Sequence, residues 1–238
     1  MKIDLTPCYI LHQRAYRETS LILEIFSREH GRLALVAKGA KRKNNSNGNL
    51  MQVNQKLNVG WSIRGEMGTL TTIETAGASA MLTGHKIIFA FYLNELLMRM
   101  LHKHESHPHL FDAYDEALRL LGEQQDEQAI LRNFEKNLLS SLGYGLILDH
   151  DVISGNAIQL QRDYYYQIDC GPMINAPSSS DYIMVSGRTL IELNQGELTT
   201  RRSLQESKQL MRFTLKKHLG TKPLASRELY QAYLETIQ

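Results

Sequence analysis

The chain has 238 residues, of which 42% are hydrophobic and 22% charged. This composition predicts one large domain or two to three small ones and excludes a disordered or collagen-like chain. The formal net charge of +2 conceals an uneven distribution. Residues 1–80 carry 11 basic and 6 acidic side chains (net +5), residues 81–200 carry 8 and 16 (net −8), and residues 201–238 carry 8 and 3 (net +5). Two basic ends around an acidic middle indicate a polyanionic partner for the ends.

The N-terminal segment does not read as a signal peptide, because Asp4 and Pro7 interrupt it. The longest apolar run, residues 87–93, has seven residues, whereas a membrane span needs about 20. Cys8 and Cys170 are too few for a disulfide framework or a four-cysteine zinc site. We therefore expect a protein of the bacterial cytoplasm that has no membrane partner.

Residues 4–76 contain five short stretches of high β content, separated by turn-like residues. These stretches are residues 9–11, 20–26, 32–37, 57–63 and 70–75. Because no helical pattern intervenes, they predict a small closed barrel. Five strands is the count of an OB-fold, whose outer face and loops bind oligonucleotides. An SH3-like barrel is the main structural alternative.

A polar loop, residues 38–49, follows the third predicted strand and is rich in Gly and Asn. Its cluster of basic residues consists of Lys38, Lys41, Arg42 and Lys43. The loop is either a solvated connection or a phosphate-contacting segment. The second interpretation is favoured by further arginines near the strand ends, namely Arg14, Arg17, Arg28 and Arg32.

From residue 83 the apolar pattern changes to a helical one. A helix that is apolar nearly all round lies within residues 87–101, a second helix begins at Pro108, and a third spans residues 126–142. A turn-rich stretch, residues 146–182, contains a short strand around Tyr164–Tyr166. Later helices are predicted at residues 188–193, from a capping box at Ser203 and Glu206, and from a cap at Ser226. The predicted fold is therefore α+β: a basic OB-fold in residues 1–80 and a mostly α-helical domain in residues 81–238.

No catalytic motif stands out. The sequence has no phosphate-binding glycine loop of the GxxxxGK[ST] type, no GxGxxG and no GxSxG. His102, His104, His107 and His109 straddle Pro108 and read as an exposed turn rather than a zinc site. Asp149-His150-Asp151 also reads as a turn. We therefore predict a protein that is not an enzyme and that holds no metal or cofactor.

A second group of basic residues lies near the C-terminus. It consists of Lys208, Arg212, Lys216, Lys217, Lys222 and Arg227. This second basic surface could hold another nucleic-acid strand or receive an acidic peptide tail. The tyrosines at 164–166 could stack on bases, but their β propensity favours a partly buried strand.

Four segments, in the same order, resemble the RecO family of bacterial recombination mediators. The first is Glu18-Thr19-Ser20-Leu21-Ile22-Leu23 with Phe26, Gly31 and Val36-Ala37-Lys38-Gly39-Ala40-Lys41-Arg42. The others are Asn94-Glu95-Leu96-Leu97, Leu131-Arg132-Asn133-Phe134-Glu135 with Leu142-Gly143-Tyr144-Gly145, and Leu219-Gly220-Thr221-Lys222-Pro223-Leu224 with Ser226-Arg227-Glu228-Leu229. The resemblance covers essentially the whole chain.

The resemblance implies an N-terminal OB-fold and a helical C-terminal domain. It implies DNA repair and recombination: binding of single- and double-stranded DNA, annealing of complementary strands, and help in loading the RecA recombinase on DNA coated with single-strand-binding protein. The implied partners are RecR and the acidic C-terminal tail of the single-strand-binding protein, in a cytoplasmic, nucleoid-associated setting. DNA contact in the family falls on positions that here are Lys38 and Arg42, with Lys41 and Lys43 beside them.

Two further expectations concern residues outside the barrel. Arg132 is our candidate contact for the acidic tail. Many family members carry a four-cysteine zinc site after the LGYG segment, whereas residues 146–182 here hold only Cys170. A zinc site is not expected, so packing must hold that region together.

Two other function classes remain open at this point. The chain could be a protein-only adaptor whose basic ends bind acidic partners, or an RNA-binding OB-fold protein. Competition between single-stranded DNA, RNA and an acidic peptide would distinguish the three classes.

Overall fold

The computed structural model of the chain describes residues 2–42, 47–63, 67–77, 80–123 and 125–237. The strands in these ranges are β1 (Lys2–Tyr16), β2 (Ser20–Ser27), β3 (Gly31–Ala37), β4 (Lys56–Ile63), β5 (Gly68–Thr75), β6 (Asp163–Gln167), β7 (Gly171–Met173) and β8 (Ile183–Ser186). The α-helices are α1 (His85–Met100), α2 (Pro108–Gly122), α3 (Glu127–Ser141), α4 (Gly187–Gln195), α5 (Arg201–Leu219) and α6 (Ala225–Thr236).

The chain forms two compact units. The first comprises residues 1–124 with 223–238, and the second comprises residues 125–222. The first unit therefore contains the five N-terminal strands together with α1, α2 and α6. The predicted boundary at residue 80 separates strands from helices along the chain, whereas contacts group the first two helices and the last one with the strands.

Strands β1 to β5 form a closed barrel in the order β1-β2-β3-β5-β4. All neighbouring strands are antiparallel except β3 and β5, which run parallel. This arrangement fits the five-stranded OB-fold. The predicted fold class, an α+β protein with an N-terminal OB-fold barrel followed by helices, is confirmed.

Strand β1 is longer than the sequence pattern predicts, because it begins at Lys2 rather than at Tyr9. Its first half pairs with β4 and its second half pairs with β2, so this one strand closes the barrel. The register shifts after Ile3 and again after Ile10. Such bulges interrupt the two-residue alternation that identifies strands, so the pattern alone does not predict the first half of β1.

The inward-facing residues of the barrel form one apolar core. Its buried members include Cys8, Ile10, Leu23, Ile25, Leu33, Leu35, Ala37, Leu57, Val59, Trp61 and Ile73. Tyr9 and Phe26 point outward and are buried as well, because their rings pack against Phe111 and Tyr114 of α2 at centroid distances of 5.0–6.3 Å. Helix α2 therefore covers one side of the barrel.

Asn94 of α1 ties the helices of the first unit to the barrel. Its buried amide nitrogen donates to the carbonyl oxygen of Leu11 at 3.1 Å and to the side-chain oxygen of Asn54 at 2.6 Å. Its amide oxygen accepts from the hydroxyl of Tyr114 at 2.5 Å. A buried amide needs such partners, so Asn94 fixes α1 against both β1 and α2.

The N-terminus of α6 is capped by Glu95 of α1. The Glu95 carboxylate accepts hydrogen bonds from the backbone nitrogens of Ala225 and Ser226 at 3.0 and 2.9 Å and from the Ser226 hydroxyl at 2.6 Å. The prediction that Ser226 caps its own helix is therefore wrong. Ser226 lies inside α6 and donates its hydroxyl to the carboxylate, which takes the place of a local cap.

The second unit combines α3, α4 and α5 with a three-stranded antiparallel sheet in the order β7-β6-β8. Helix α3 starts after Asp126, whose carboxylate accepts from the backbone nitrogens of Gln128 and Ala129, as expected for an N-cap. Tyr164 and Tyr166 lie in β6 and are buried, which confirms the predicted partly buried strand.

Helix α5 begins one turn earlier than the predicted capping box. The Thr200 hydroxyl oxygen is the N-cap acceptor and receives the backbone N–H of Ser203 at 3.0 Å. Ser203 is fully buried inside the helix. The Glu206 carboxylate instead accepts from the hydroxyls of Ser186 and Thr189 at 2.7 and 2.6 Å. The Ser203–Glu206 capping box is therefore a wrong prediction.

Asp151 organises the turn-rich stretch after α3. Its buried carboxylate accepts from the backbone nitrogens of Ile153, Ser154 and Ile174 at 2.7–3.0 Å. The turn occupies residues 152–154, directly after the predicted Asp149-His150-Asp151, in which His150 instead forms an isolated β-bridge with Ala157. Asp151 joins the loop after α3 to the residue that follows β7, so a carboxylate and its backbone hydrogen bonds hold this region.

Candidate nucleic-acid interface

The start of the basic loop is fixed against the turn between β1 and β2. The backbone nitrogen of Lys41 donates to the carbonyl oxygen of Thr19 at 2.9 Å, and that of Arg42 donates to the carbonyl oxygen of Gly39 at 3.0 Å. Gly39 has a φ of +67°, which favours glycine. A Cβ built there would lie 3.4 Å from Cδ of Arg42. The Arg42 side chain therefore folds back across this turn.

These turns form an open groove on the outside of the barrel. It is lined by Tyr16, Arg17, Glu18, Thr19, Ser20, Val36, Lys38, Gly39, Arg42 and Thr69. Three of these residues are cationic and one is anionic, so the groove is positively charged. It lies where the β1–β2 turn meets the ends of β3 and β5. In OB-folds, the face of strands 2 and 3 and the loop between strands 1 and 2 contact oligonucleotides.

The ladder positions place Arg14 next to this groove. Arg14 pairs with Ile22, which pairs with Val36, which in turn pairs with Thr69. Side chains directly opposite each other in a ladder share a face, so Arg14 lies in the same outward row as two residues that line the groove. Arg14 and Lys41 are exposed. The structure thus brings together five of the predicted basic residues: Arg14, Arg17, Lys38, Lys41 and Arg42.

Tyr16 is a groove residue that the sequence reasoning missed. It ends β1, pairs with Ser20 across the hairpin, and has the guanidinium carbon of Arg17 at 5.2 Å from the centroid of its ring. Arg17 has a φ of +52° in the tight turn. The signal available in the sequence is the two-residue spacing from Arg14 to Tyr16 at the end of a strand, which places both on one face.

Arg32 does not lie in the groove. Its Nε donates to the carbonyl oxygen of Leu101 at 3.2 Å, and its guanidinium is 3.4 Å from the Glu24 carboxylate, with 15% of the side chain exposed. Arg28 likewise forms a bidentate ion pair with Asp112 at 2.9 Å. These two arginines attach the barrel to the helices of the same unit. Lys43, another predicted DNA contact, lies outside the described residues.

The second basic surface is only partly brought together. Lys208, Arg212 and Lys216 are exposed on α5, and their four-residue spacing puts them on one side of the helix about 6 Å apart along its axis. Lys217 is paired with Asp169. Lys222 is exposed in the second unit, and Arg227 is exposed on α6 of the first unit.

Arg132 occupies a buried position in α3. Only 5% of its side chain is exposed, and its guanidinium is 2.6 Å from the equally buried carboxylate of Glu135. Its Nε has no hydrogen-bond partner among the described residues. Both residues lie on α3, three positions apart, so removing one partner would leave the other as an uncompensated buried charge. This position gives no support to a contact between Arg132 and an acidic tail.

Other side chains that could carry chemistry are dispersed. Across the described residues, no three His, Cys, Asp or Glu side chains converge in a way that could hold a metal ion. His102, His104 and His109 are exposed around the start of α2. Cys8 is buried in the barrel core, and burial raises the pKa of its thiol to about 12. None of the helices, over the described residues, has the length and apolar character needed to cross a membrane.

The fold and this groove define an OB-fold barrel protein with a positively charged groove on the barrel and a helical C-terminal part. Two family models match the chain: "Recombination protein O N terminal" over residues 1–78 and "Recombination protein O C terminal" over residues 81–228. The chain belongs to the RecO family.

Curated relatives agree with this assignment. The chain is 42% identical over 237 residues to the DNA repair protein RecO of Azoarcus sp. (strain BH72), which covers 98% of each chain. It is 43% identical over 231 residues to the DNA repair protein RecO of Nitrosococcus oceani, covering 97% of this chain and 94% of the relative. It is 41% identical over 228 residues to that of Nitrosospira multiformis, covering 95% and 94%.

Proposed function

We propose that this protein is a recombination mediator in DNA repair that binds single- and double-stranded DNA through the barrel groove and anneals complementary strands. The observation that carries the proposal is the convergence of Arg17, Lys38 and Arg42 on one groove of an OB-fold barrel in a chain of the RecO family. The curated relatives are named DNA repair proteins.

The physical basis is neutralisation of phosphates. Cations that contact a nucleic-acid backbone release condensed counterions, which gives binding that is independent of sequence and sensitive to salt. Annealing needs no active-site chemistry, because it is enough to reduce the repulsion between two strands while both are held. The protein therefore acts without catalysis, metal or cofactor in this proposal.

A second strand needs a second cationic surface. The exposed row of Lys208, Arg212 and Lys216 on α5 supports such a role. The same row could instead receive the acidic C-terminal tail of the single-strand-binding protein, while Arg132, given its burial, would contact that tail only after a rearrangement of α3. With RecR as a further partner, these contacts would help load RecA on DNA coated with single-strand-binding protein, in the cytoplasm near the nucleoid.

The groove is tested by reversing its charge. We expect a variant with Lys38→Glu and Arg42→Glu to bind a fluorescent single-stranded oligonucleotide about 10- to 100-fold more weakly in anisotropy titrations at moderate salt, because two phosphate contacts become repulsive. The same variant should anneal two complementary labelled oligonucleotides more slowly. Both side chains are exposed, so the circular dichroism spectrum and the melting temperature should change little.

A matched control separates a local contact from a change in net charge. The variant with Lys86→Glu and Lys103→Glu makes the same charge change in the first unit at positions outside the groove lining. It should keep the DNA affinity of the unmodified protein to within about threefold. Equal affinity in all three proteins would refute the groove. Stronger competition by an RNA oligonucleotide or an acidic peptide than by single-stranded DNA would refute DNA as the main ligand.

A further inference from the structure

Among the described residues that line the groove, one side chain is aromatic. Tyr16 lines the groove beside Arg17, Lys38 and Arg42, and the ring of Tyr16 lies under the Arg17 guanidinium at 5.2 Å. The tyrosines that the sequence suggested for stacking are placed differently, since Tyr164 and Tyr166 are buried in β6 at 1% and 2% exposure.

The groove around Tyr16 combines an apolar surface with positively charged side chains. Val36 and the Tyr16 ring offer apolar surface, and the three cations lie around them in the same groove. A single strand of nucleic acid has the same division, because its bases are flat and apolar on their faces and its phosphates are anionic. Base stacking on an aromatic ring with basic residues along the backbone is how OB-fold proteins hold single strands.

We propose that the Tyr16–Arg17 pair is a stacking platform for one unpaired base and that Tyr16 makes this protein favour single-stranded over duplex DNA. The neighbouring phosphates are bound by Lys38 and Arg42. This inference rests on the proposed DNA-binding function of the groove. A paired base lies inside the duplex stack and cannot reach the ring, so only the phosphate contacts serve double-stranded DNA.

The platform also has a consequence for annealing. A base on Tyr16 leaves the ring when it pairs with its complement, so duplex formation removes one of the contacts that held the strand. The duplex product is therefore held less tightly than the single-stranded substrate, which favours release of the product after annealing.

The test compares Tyr16→Ala and Tyr16→Phe with the unmodified protein on a labelled oligothymidine and on a duplex of the same length. We expect Tyr16→Ala to weaken single-strand binding about 5- to 150-fold, the loss of one aromatic stacking contact, and to leave duplex binding unchanged within about twofold. Tyr16→Phe keeps the ring, so it should bind like the unmodified protein. Tyr144→Ala, which removes a tyrosine that is 50% exposed in the second unit, should have no effect.

Three outcomes would overturn the platform: unchanged single-strand affinity in Tyr16→Ala, an equal loss for single strand and duplex, or an equal loss in Tyr16→Phe. If Tyr16→Ala is unchanged while Lys38→Glu with Arg42→Glu loses affinity, the platform fails and the groove stands. If the charge-reversed variant also binds normally, the groove itself fails.

A second measurement uses the unmodified protein and does not depend on the folding of a variant. A single strand carrying 5-iododeoxyuridine is irradiated in the complex, and the cross-linked peptide is mapped by mass spectrometry. We expect the adduct on Tyr16. Adducts found only on residues outside the groove would contradict the platform.

Discussion

At the scale of single residues, the polar groups that matter most for stability are buried rather than exposed. Asn94 contacts three different parts of the first unit through one amide, namely Leu11, Asn54 and Tyr114. An exposed asparagine would exchange such bonds for water at little cost, but a buried one leaves its partners unsatisfied when it is removed. Its role is therefore structural, although it lies in a segment that resembles the family.

The Asn94 contacts predict a specific loss of stability. Asn94→Leu keeps the volume of the side chain but leaves the Leu11 carbonyl and the Tyr114 hydroxyl without this partner. We expect the free energy of unfolding, measured with urea, to fall by about 2 kcal/mol. Asn194→Leu, on the exposed side of α4, is the control and should change it by less than about 0.5 kcal/mol. A loss of similar size in both variants would contradict this role.

Single residues also show where sequence reasoning succeeds. The basic loop predicts Lys38 and Arg42 as DNA contacts, and the structure gathers both into the groove with Arg17. Arg132 and Arg32 are equally basic in the sequence, yet each is neutralised by a carboxylate inside its own unit. The charge of a residue can be read from a sequence. Whether that charge pairs with a carboxylate of the same protein or faces a groove depends on tertiary contacts.

At the scale of secondary-structure elements, the success of prediction depends on whether the signal is local. Helix α2 begins at Pro108 as predicted, and α3 begins at Glu127, one residue after its predicted start, with Asp126 as a local cap. Local signals fail where the cap comes from elsewhere. The start of α6 is capped by Glu95, which is 130 residues away from Ala225 in sequence, and no pattern near residue 225 reveals it.

The cap on α6 predicts a dependence of stability on pH. Burial acts to raise the pKa of Glu95, but the hydrogen bonds from Ser226 and Ala225 and the charge of Arg99 outweigh it and lower the pKa below its usual value. A carboxylate whose pKa is lower in the folded state stabilises above its unfolded pKa, about 4.3 for glutamate, and loses this contribution as the pH falls through the folded pKa. The attachment of α6 should weaken in that acidic range.

Comparison with Glu95→Gln isolates the contribution of this carboxylate. At neutral pH the variant should unfold more easily and should exchange the α6 amide hydrogens faster than the unmodified protein. The difference between the two proteins should shrink as the pH falls below the unfolded pKa of about 4.3. It should vanish once the pH is below the lowered folded pKa of Glu95, where the carboxyl is protonated in both states. A stability difference that stays constant across this range would contradict a charged cap.

At the scale of the whole molecule, each of the basic and acidic segments of the sequence can be assigned to a part of the structure. The basic N-terminal part forms the barrel with its groove, and the basic C-terminal part supplies the exposed row on α5. The acidic middle contributes Asp112 and Asp115, which pair with Arg28 and Lys56 of the barrel in the first unit. The near-neutral total charge therefore does not describe either basic surface.

The five-stranded barrel and the helix count of the C-terminal part follow from periodicity and turn residues. The assignment of α6 to the first unit does not follow from the sequence, because the chain passes through the second unit before it returns at residue 223. Contacts between segments so far apart have no local sequence signal. The groove lies between these cases. Its cations stand out in the sequence as a basic cluster, whereas the spacing of Tyr16 from Arg14 is a weak signal that gains its meaning from the structure.

The most direct test of the central claim is the salt dependence of single-strand binding. In our proposal, the barrel groove binds DNA phosphates through Lys38 and Arg42. The logarithm of the association constant for an oligothymidine should fall linearly with the logarithm of salt concentration, and each phosphate contact on a single strand adds about 0.7 to the slope. In the variant with Lys38→Gln and Arg42→Gln the slope should be smaller in magnitude by about 1.4. A slope equal to that of the unmodified protein would contradict the account.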